Sequence, residues 1–316
     1  MRSAAPITLL VALAGVGLLA GGGAGAAAST AAARTQLGIL GDAQRFAQLT
    51  GQRSSVRQSF IGWHQPQSIP KLLDQLRPVP MLAIKTGGTV SPLDIARGRG
   101  DAFLLELNRA VAEFGALVYV RPMPEMNGHW NEYSAFNRDG SSRGARYSTA
   151  AFRKAFARIA LLARGGSARK LNAKLRRLGQ PGVAGDLPVA PARIVWNPQG
   201  YGSPDIPANS AQAYFPGNEY VDVVANDLYD QGFNATWDAN EKLYAAHPSK
   251  PFALAEWGLW GIDDPAFVER MAAFVKSHAR IEFLVYFNSK PGSIWDLSSK
   301  PRSRTAYRRS ITPLGR

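Results

Sequence analysis

Eight short apolar runs, separated by segments long enough to hold helices, constrain the fold of this chain more than any other feature. They are LGILG from residue 37, VRQSFIGWH ending at His64, VPMLAIKT ending at Thr86, ALVYVRP ending at Pro122, ARIVWNP ending at Pro198, YVDVVANDLY ending at Tyr229, PFALAEWG ending at Gly258 and IEFLVYFNS ending at Ser289. A strand that alternates with helices predicts parallel pairing, and eight such units predict a closed (β/α)8 TIM barrel, an α/β fold.

Two of the intervening segments have clear helical periodicity. Residues 100–115 place Phe103 and Leu107 on one face, and residues 264–279 do the same with Phe267 and Met271. The stretches NRDGSSRGARYS and GQPGVAGDLPVAPA are rich in Gly, Pro and small polar residues and are predicted to be loops. In a barrel of this kind the functional side chains lie where strands end, because the loops there meet over one mouth.

The chain divides into three predicted parts. Residues 1–28 combine Arg2, the apolar stretch ITLLVALAGVGLLA and small residues near Ala28, a pattern typical of a secretory signal peptide; a single membrane anchor is the alternative. Residues 29–300 form the barrel, for which a chain of 316 residues with 46% hydrophobic content is sufficient. Residues 301–316 are predicted to be a basic C-terminal tail. The chain has no cysteine, so an exported barrel must be stabilised by packing without disulfides.

The formal net charge is +14, which raises the question of a nucleic-acid partner. The distribution argues against one, because no acidic residue lies between Asp139 and Asp186 while Lys and Arg recur there at helical spacing. We expect a solvated basic helix face that can contact an anionic cell envelope, with no nucleic-acid partner. We also expect a secreted monomer. No cofactor is expected, and the four histidines have no metal-ligand spacing.

Two glutamates follow predicted strands directly. Glu125 lies in RPMPEMNGHW after the fourth run, and Glu256 lies in LAEWG at the end of the seventh. Cleavage of an acetal bond between sugars requires one protonated and one ionised carboxyl group. A separation of about 5 to 5.5 Å between them gives retention of configuration, and about 6.5 to 9.5 Å gives inversion. The sequence leaves both geometries open.

Aromatic and polar residues near the same strand ends are candidates for sugar binding. Indole rings stack on the apolar C–H faces of sugars, and their N–H groups can bond hydroxyls. The predicted substrate-binding set is Trp63, His64, Asn127, Trp130, Trp257, Trp260 and Trp295.

Four motifs, RPMPEMNGHW, YFPGNEYVDVVANDLY, KPFALAEWG and LVYFNS, resemble the fourth, sixth, seventh and eighth strand motifs of glycoside hydrolase family 26 (GH26), which includes β-mannanases, β-1,3-xylanases and lichenases. The resemblance implies a retaining mechanism. It also implies Glu125 as acid/base, Glu256 as nucleophile, Tyr229 as the hydrogen-bond donor to that nucleophile and Arg121 as a supporting charge. Trp130 is similar to the aromatic residue that follows the acid/base and lines the sugar site.

One position departs from the family pattern. The family usually has a histidine immediately before the acid/base, and here that residue is Pro124, which has neither a side-chain donor nor a backbone N–H. His64 or His129 is a candidate replacement. The main hypothesis is a secreted endo-β-glycanase with a β-mannan-like substrate. The alternatives are a catalytically silent carbohydrate-binding protein on the same barrel and a glycosidase for another plant or envelope glycan.

Overall fold

The computed structural model describes residues 35–232 and 236–315. The predicted signal peptide, residues 1–28, lies outside these ranges. The strands in the described part are β1 (Gln36–Gly41), β2 (Val56–Gly62), β3 (Val79–Lys85), β4 (Val118–Pro122), β5 (Ala192–Trp196), β6 (Val223–Asp230), β7 (Phe252–Leu259) and β8 (Ile281–Ser289). The helices there are α1 (Ala43–Thr50), α2 (Ile69–Gln75), α3 (Pro92–Ala96), α4 (Asp101–Phe114), α5 (Thr149–Arg164), α6 (Ala168–Arg177), α7 (Trp237–Ala246), α8 (Pro265–Ser277) and α9 (Pro301–Ser310).

The strands form a closed barrel in sequence order, and β1 pairs with β8 in parallel to complete the ring. This confirms the predicted (β/α)8 barrel, and each of the eight apolar runs corresponds to one strand. Helices begin and end where local chemistry requires it. Asp264 caps α8 by accepting from the N–H groups of Ala266 and Phe267, and Gly115 ends α4 in the left-handed conformation.

Two apolar layers hold the barrel together. The interior layer takes one or two side chains from each of several strands, among them Val56, Met81, Tyr119, Val195 and Phe283, all fully buried. A larger layer lies between the strands and the helices. Because side chains alternate along a strand, each strand supplies both layers, and its last inward residue reaches the barrel mouth.

The segment predicted as a basic tail is part of this folded unit. Residues 301–310 form α9, which packs on α8 and buries Tyr307. The Tyr307 ring stacks on Trp257 with centroids 5.6 Å apart, and Arg309 forms an ion pair with Glu269. The apolar face of a short helix with four arginines among its ten residues therefore closes the outer layer of the barrel. None of the described helices is long and apolar enough to cross a membrane.

Candidate active site

A cavity of about 590 Å³ opens at the carboxyl ends of the strands. Its walls come from five strands, β2, β3, β6, β7 and β8, and from the loops that follow β4 to β8. They include both predicted catalytic carboxylates, Glu125 and Glu256. Tyr229, Trp260 and Trp295 lie on the same walls. The barrel thus brings together residues that are up to 235 positions apart, from Phe60 to Trp295.

Glu125 is held in an uncommon backbone conformation just beyond β4. Its φ angle is 55°, in the left-handed region that non-glycine residues seldom adopt. Three hydrogen bonds hold it there: its N–H donates to Asn197 O at 2.7 Å, and its carbonyl accepts from Gly128 N and Asn131 Nδ2, both at 2.9 Å. The preceding carbonyl, of Pro124, accepts from the Tyr133 hydroxyl. The surrounding turn therefore determines where the Glu125 carboxylate points.

Two donors contact the Glu125 carboxylate. Trp130 Nε1 donates to Oε2 at 2.9 Å, and the Gln199 amide donates to Oε1. Burial raises the pKa of Glu125, and the negative charge of Glu256 raises it further; the Trp130 hydrogen bond and the Arg121 charge act in the opposite direction, and the net pKa is raised. Glu125 is thus a carboxyl group of this cavity that is suited to carry a proton.

Gly128 allows Trp130 to reach Glu125. A Cβ atom at position 128 would lie 2.4 Å from the Trp130 ring, well inside van der Waals contact. The glycine of the Asn-Gly pair therefore lets the indole fold back over the turn. Trp130 lines the cavity and remains 49% exposed, so part of its ring is accessible while its Nε1 bonds Glu125.

An irregularity in β7 turns Glu256 into the barrel. Ala253 and Ala255 face the interior layer, and strict alternation would point Glu256 outward. The register shifts on both sides of this point, between Asn226 and Asp227 in the pairing with β6 and between Leu254 and Trp257 in the pairing with β8. A β-bulge of this kind re-aims one side chain, so Glu256 enters the cavity.

The Glu256 carboxylate is surrounded by donors. Oε1 accepts from Arg121 and from Gln58 Nε2 at 2.9 Å, and Oε2 accepts from the Tyr229 hydroxyl at 2.7 Å. Only 6% of Glu256 is exposed. A guanidinium and an amide on Oε1 and a hydroxyl on Oε2 hold this carboxylate in one orientation, as a nucleophile requires.

Asp227 is a third carboxyl group at this site. It is fully buried on β6, where Arg121 bonds one of its oxygens. Burial raises the pKa of Asp227 well above its ordinary value; the Arg121 charge opposes this rise and the Glu256 charge adds to it. Arg121 therefore lies between two carboxyl groups, and its Nε donates to Asn197 Oδ1 at 2.9 Å. Burial alone would lower the pKa of Arg121, but the Asp227 and Glu256 charges raise it.

Three of the predicted sugar-binding residues line the cavity: Trp130, Trp260 and Trp295. The rings of Trp260 and Trp295 meet edge to face with centroids 5.3 Å apart, and Trp260 makes a similar contact with Tyr229 at 5.8 Å. Trp260 is 44% exposed. The loops after β7 and β8 thus form an aromatic wall beside Glu256, suitable for stacking on a sugar ring.

The other two tryptophans are packing residues, and for them the prediction of substrate contact is wrong. Trp63 stacks on Phe103 with centroids 4.7 Å apart and donates to Gly100 O. Trp257 follows the bulge at Glu256 and points outward, where it lies against Tyr307 of α9. Both side chains fill the layer between strands and helices, because an indole is as useful in a core as in a sugar site.

Asn127 and His64 are also absent from the walls of this cavity. The prediction of substrate contact is wrong for Asn127, which is buried, and stays a prediction for the exposed His64. Asn127 is fully buried; its amide donates to Gln199 O and Tyr201 O and accepts from Gln199 N, which ties the β4 loop to the β5 loop. His64 is exposed beyond β2, beside Gly87. Neither His64 nor His129, which contacts Ser203, bonds a carboxylate of the cavity.

Gln58, Gln199 and Asp227 contact the central carboxylates, and none of the three is in the predicted set. Each had a detectable signal. Gln58 and Asp227 are polar residues inside apolar strand runs at inward-facing positions, and Gln199 follows the fifth run directly. Within residues 35–232 and 236–315, no group of three or more His, Asp or Glu side chains is arranged to hold a metal ion.

Two curated proteins are similar in sequence. Endoglucanase H of Acetivibrio thermocellus is 22% identical over 292 residues, 84% of this chain. Mannan endo-1,4-beta-mannosidase A and B of Caldalkalibacillus mannanilyticus is 29% identical over 146 residues, 46% of this chain. The chain spans only 28% and 22% of the length of these relatives. No protein-family model matches the chain.

Solved structures share the barrel. A Bacillus subtilis mannanase has a TM-score of 0.58 at 16% identity, covering 88% of this chain and 85% of that chain. The GH26 domain of an endo-β-mannanase/endo-β-glucanase from Prevotella bryantii has a TM-score of 0.56 at 13% identity, covering 88% of both chains. These neighbours confirm the resemblance to glycoside hydrolase family 26, and at this level of identity they establish a common fold.

Proposed function

We propose that this protein is a secreted retaining endo-β-glycanase of the GH26 type, with a β-mannan-like polysaccharide as its substrate. The observation that carries the proposal is the contrast between two carboxyl groups in one cavity. Glu125 has a raised pKa, whereas Glu256 accepts from a guanidinium, a hydroxyl and an amide. Such a contrast is what glycosidic bond cleavage requires.

In the first step Glu125 donates its proton to the oxygen of the leaving sugar as the bond to the anomeric carbon breaks. Glu256 attacks the same carbon and forms a covalent glycosyl-enzyme, with Tyr229 and Arg121 holding its carboxylate in place. In the second step Glu125, now ionised, takes a proton from water, which attacks the anomeric carbon and releases Glu256. The family resemblance supports this retaining route.

The proposal of a β-mannan-like substrate rests on the proteins to which this chain is similar. One curated relative is a mannan endo-1,4-beta-mannosidase, and the Bacillus subtilis and Prevotella bryantii structures are described as mannanases. The aromatic wall of Trp260 and Trp295, after β7 and β8, and the exposed Trp130 ring, after β4, offer several stacking surfaces in the cavity of the two carboxylates. Several sugar-stacking surfaces along one cleft favour internal cleavage of a chain over removal of a single terminal sugar.

The proposed setting is extracellular, since residues 1–28 have the pattern of a secretory signal. The exposed basic residues of α6, Arg169, Lys170, Arg176 and Arg177, are suited to an anionic cell envelope. We propose a monomer with no nucleic-acid partner. Salt-sensitive retention on an anionic envelope preparation, reduced in an Arg176→Gln/Arg177→Gln variant, would test the envelope contact.

The test is reducing-sugar release from β-mannan, β-1,3-xylan and mixed-linkage glucan. Glu256→Ala should abolish release, whereas Glu113→Ala on the exposed face of α4 should not affect it. An aryl β-glycoside whose leaving group needs no proton distinguishes the acid/base role of Glu125 from the nucleophile role of Glu256. On this substrate Glu125→Ala should still form the glycosyl-enzyme and release a burst of phenol, whereas Glu256→Ala should release none. An intact protein that binds these polymers without cleaving any of them would instead support the silent carbohydrate-binding alternative.

A further inference from the structure

Lys85 places a positive charge in the wall of the catalytic cavity. It is the last residue of β3 and continues the inward-facing series that begins with Met81, so its half-buried side chain reaches the barrel mouth. Within the part of the chain that the structure describes, its ammonium has no hydrogen-bond acceptor and no carboxylate at ion-pair distance. By contrast, the ammonium groups of Lys250 and Lys300 each donate to two backbone carbonyls.

The neighbour of this ammonium is aromatic. Lys85 Nζ lies 5.7 Å from the centre of the Phe60 ring, and Phe60 is 39% exposed at the end of the inward-facing series of β2. A contact at this distance is weak and does not replace a counter-ion. The β2–β3 side of the cavity therefore combines an apolar ring face with an uncompensated cation. An acidic sugar presents the complementary pair, an apolar C–H face and an anionic substituent.

We propose that Lys85 binds the carboxylate of a hexuronic acid in the substrate, so that the preferred polymer is an acidic β-glycan. This inference rests on the proposed function and specifies its substrate class. At the centre of the cavity the carboxylate of the nucleophile Glu256 repels an anionic substituent. The uronate therefore binds away from the cleavage point, on the wall where Lys85 balances its charge and Phe60 stacks on its ring.

The overall charge of the chain agrees with this assignment. A net charge of +14 raises the local concentration of an anionic polymer around the protein and speeds its encounter with the cleft. That long-range attraction does not specify where a charged sugar unit binds, whereas a lysine in the cavity wall selects which sugar unit occupies one subsite. A substitution of Lys85 separates the two effects, because it removes the selection at the subsite and leaves nearly all of the long-range attraction.

The experiment uses two forms of one polymer: unmodified β-mannan and the same β-mannan with a fraction of its C6 hydroxymethyl groups oxidised to carboxylates. The protein should cleave the oxidised form with the higher kcat/KM, and added salt should narrow the difference. Lys85→Met should reduce the ratio of kcat/KM for the oxidised polymer to kcat/KM for the unmodified polymer by about tenfold, because one charge-assisted hydrogen bond is lost. The change should arise mainly from a higher KM for the oxidised polymer. Lys85→Arg should keep most of the ratio, and Lys71→Met on the exposed surface of α2 should not change it.

The result that overturns the inference is cleavage of both polymers with a ratio that Lys85→Met leaves unchanged; that result keeps the proposed function. If neither polymer is cleaved, the proposed function fails, and Lys85 is then tested by calorimetry with a β-1,4-linked mannuronate oligosaccharide. Binding that weakens about tenfold in Lys85→Met supports the uronate site without catalysis. Binding that is equal in both proteins, or absent from both, overturns it.

Discussion

Replacing Trp130 by phenylalanine should shift the pH dependence of catalysis as well as its rate. The indole N–H donates to Glu125 Oε2 at 2.9 Å and stabilises the ionised carboxylate, so it lowers the pKa of Glu125 against the larger effect of burial. Without this donor the pKa of Glu125 rises further. A general acid must be protonated to act, and its pKa sets the alkaline limb of the profile of kcat/KM against pH.

The size of the shift follows from the strength of the lost bond. A hydrogen bond to a charged group contributes about 1.5 to 3 kcal/mol, and one pKa unit corresponds to about 1.4 kcal/mol. Trp130 is 49% exposed, so water partly replaces the lost donor and the lower end of the range applies. The alkaline limb in Trp130→Phe should therefore lie about one pH unit higher than in the parent protein.

The assay is kcat/KM on soluble β-mannan across the pH range in which both proteins remain folded. Trp260→Phe is the matched control, because it removes an exposed indole from the same cavity that has no bond to Glu125. It should lower the height of the profile through weaker stacking and leave the alkaline limb in place. An alkaline limb in Trp130→Phe that is unmoved, or that moves to lower pH, would refute the argument that this bond tunes the acid.

Three further outcomes concern stability. Arg121→Lys should destabilise the protein by about 3 to 5 kcal/mol in denaturant titrations, because one ammonium does not replace a guanidinium that bonds two buried carboxyl groups; parent-like stability would contradict this. Trp257→Ala should cost about 3 to 5 kcal/mol, whereas Trp260→Ala should cost under about 1 kcal/mol, and equal costs would contradict the outward packing of Trp257. The pKa of Asp94 is lowered from 3.8 to about 2, because its hydrogen bonds with Ser91 and Arg146 together outweigh the opposing effect of burial. The ionised Asp94 therefore stabilises the folded protein above pH 3.8, and this stabilisation is lost as the pH falls toward 2. The free energy of unfolding of Asp94→Asn should therefore approach that of the parent protein at low pH, and a constant difference would exclude the linkage.

Much of the fold could be predicted from the sequence because the barrel depends on a repeated local pattern. Apolar runs alternating with amphipathic segments correspond to the eight strands and to helices such as α4 and α8. The fold of the C-terminal residues 301–316 is harder to predict, because this arginine-rich segment has little apolar periodicity. The buried Tyr307 ring and the Arg309–Glu269 ion pair hold α9 on the barrel.

The candidate site was predicted best where a residue follows a strand directly. Glu125 and Glu256 were located in this way, although their catalytic roles stay a prediction. Trp63 and Trp257 stand equally close to strand ends, yet they pack behind the sheet. Position in the sequence alone does not show whether a side chain at a strand end points into the barrel or toward the helices, because a bulge or a tight turn reverses the direction.

The sequence by itself determined the strand-helix alternation, the barrel class and the two glutamates at the ends of strands, because these depend on local periodicity and chain order. Only the tertiary structure decided which side chains meet. The bulge that turns Glu256 inward, the burial of Asp227 against Arg121 and the approach of Gln58 and Gln199 to the carboxylates all arise between strands distant in the chain. Such contacts depend on register and barrel closure, which no local pattern encodes.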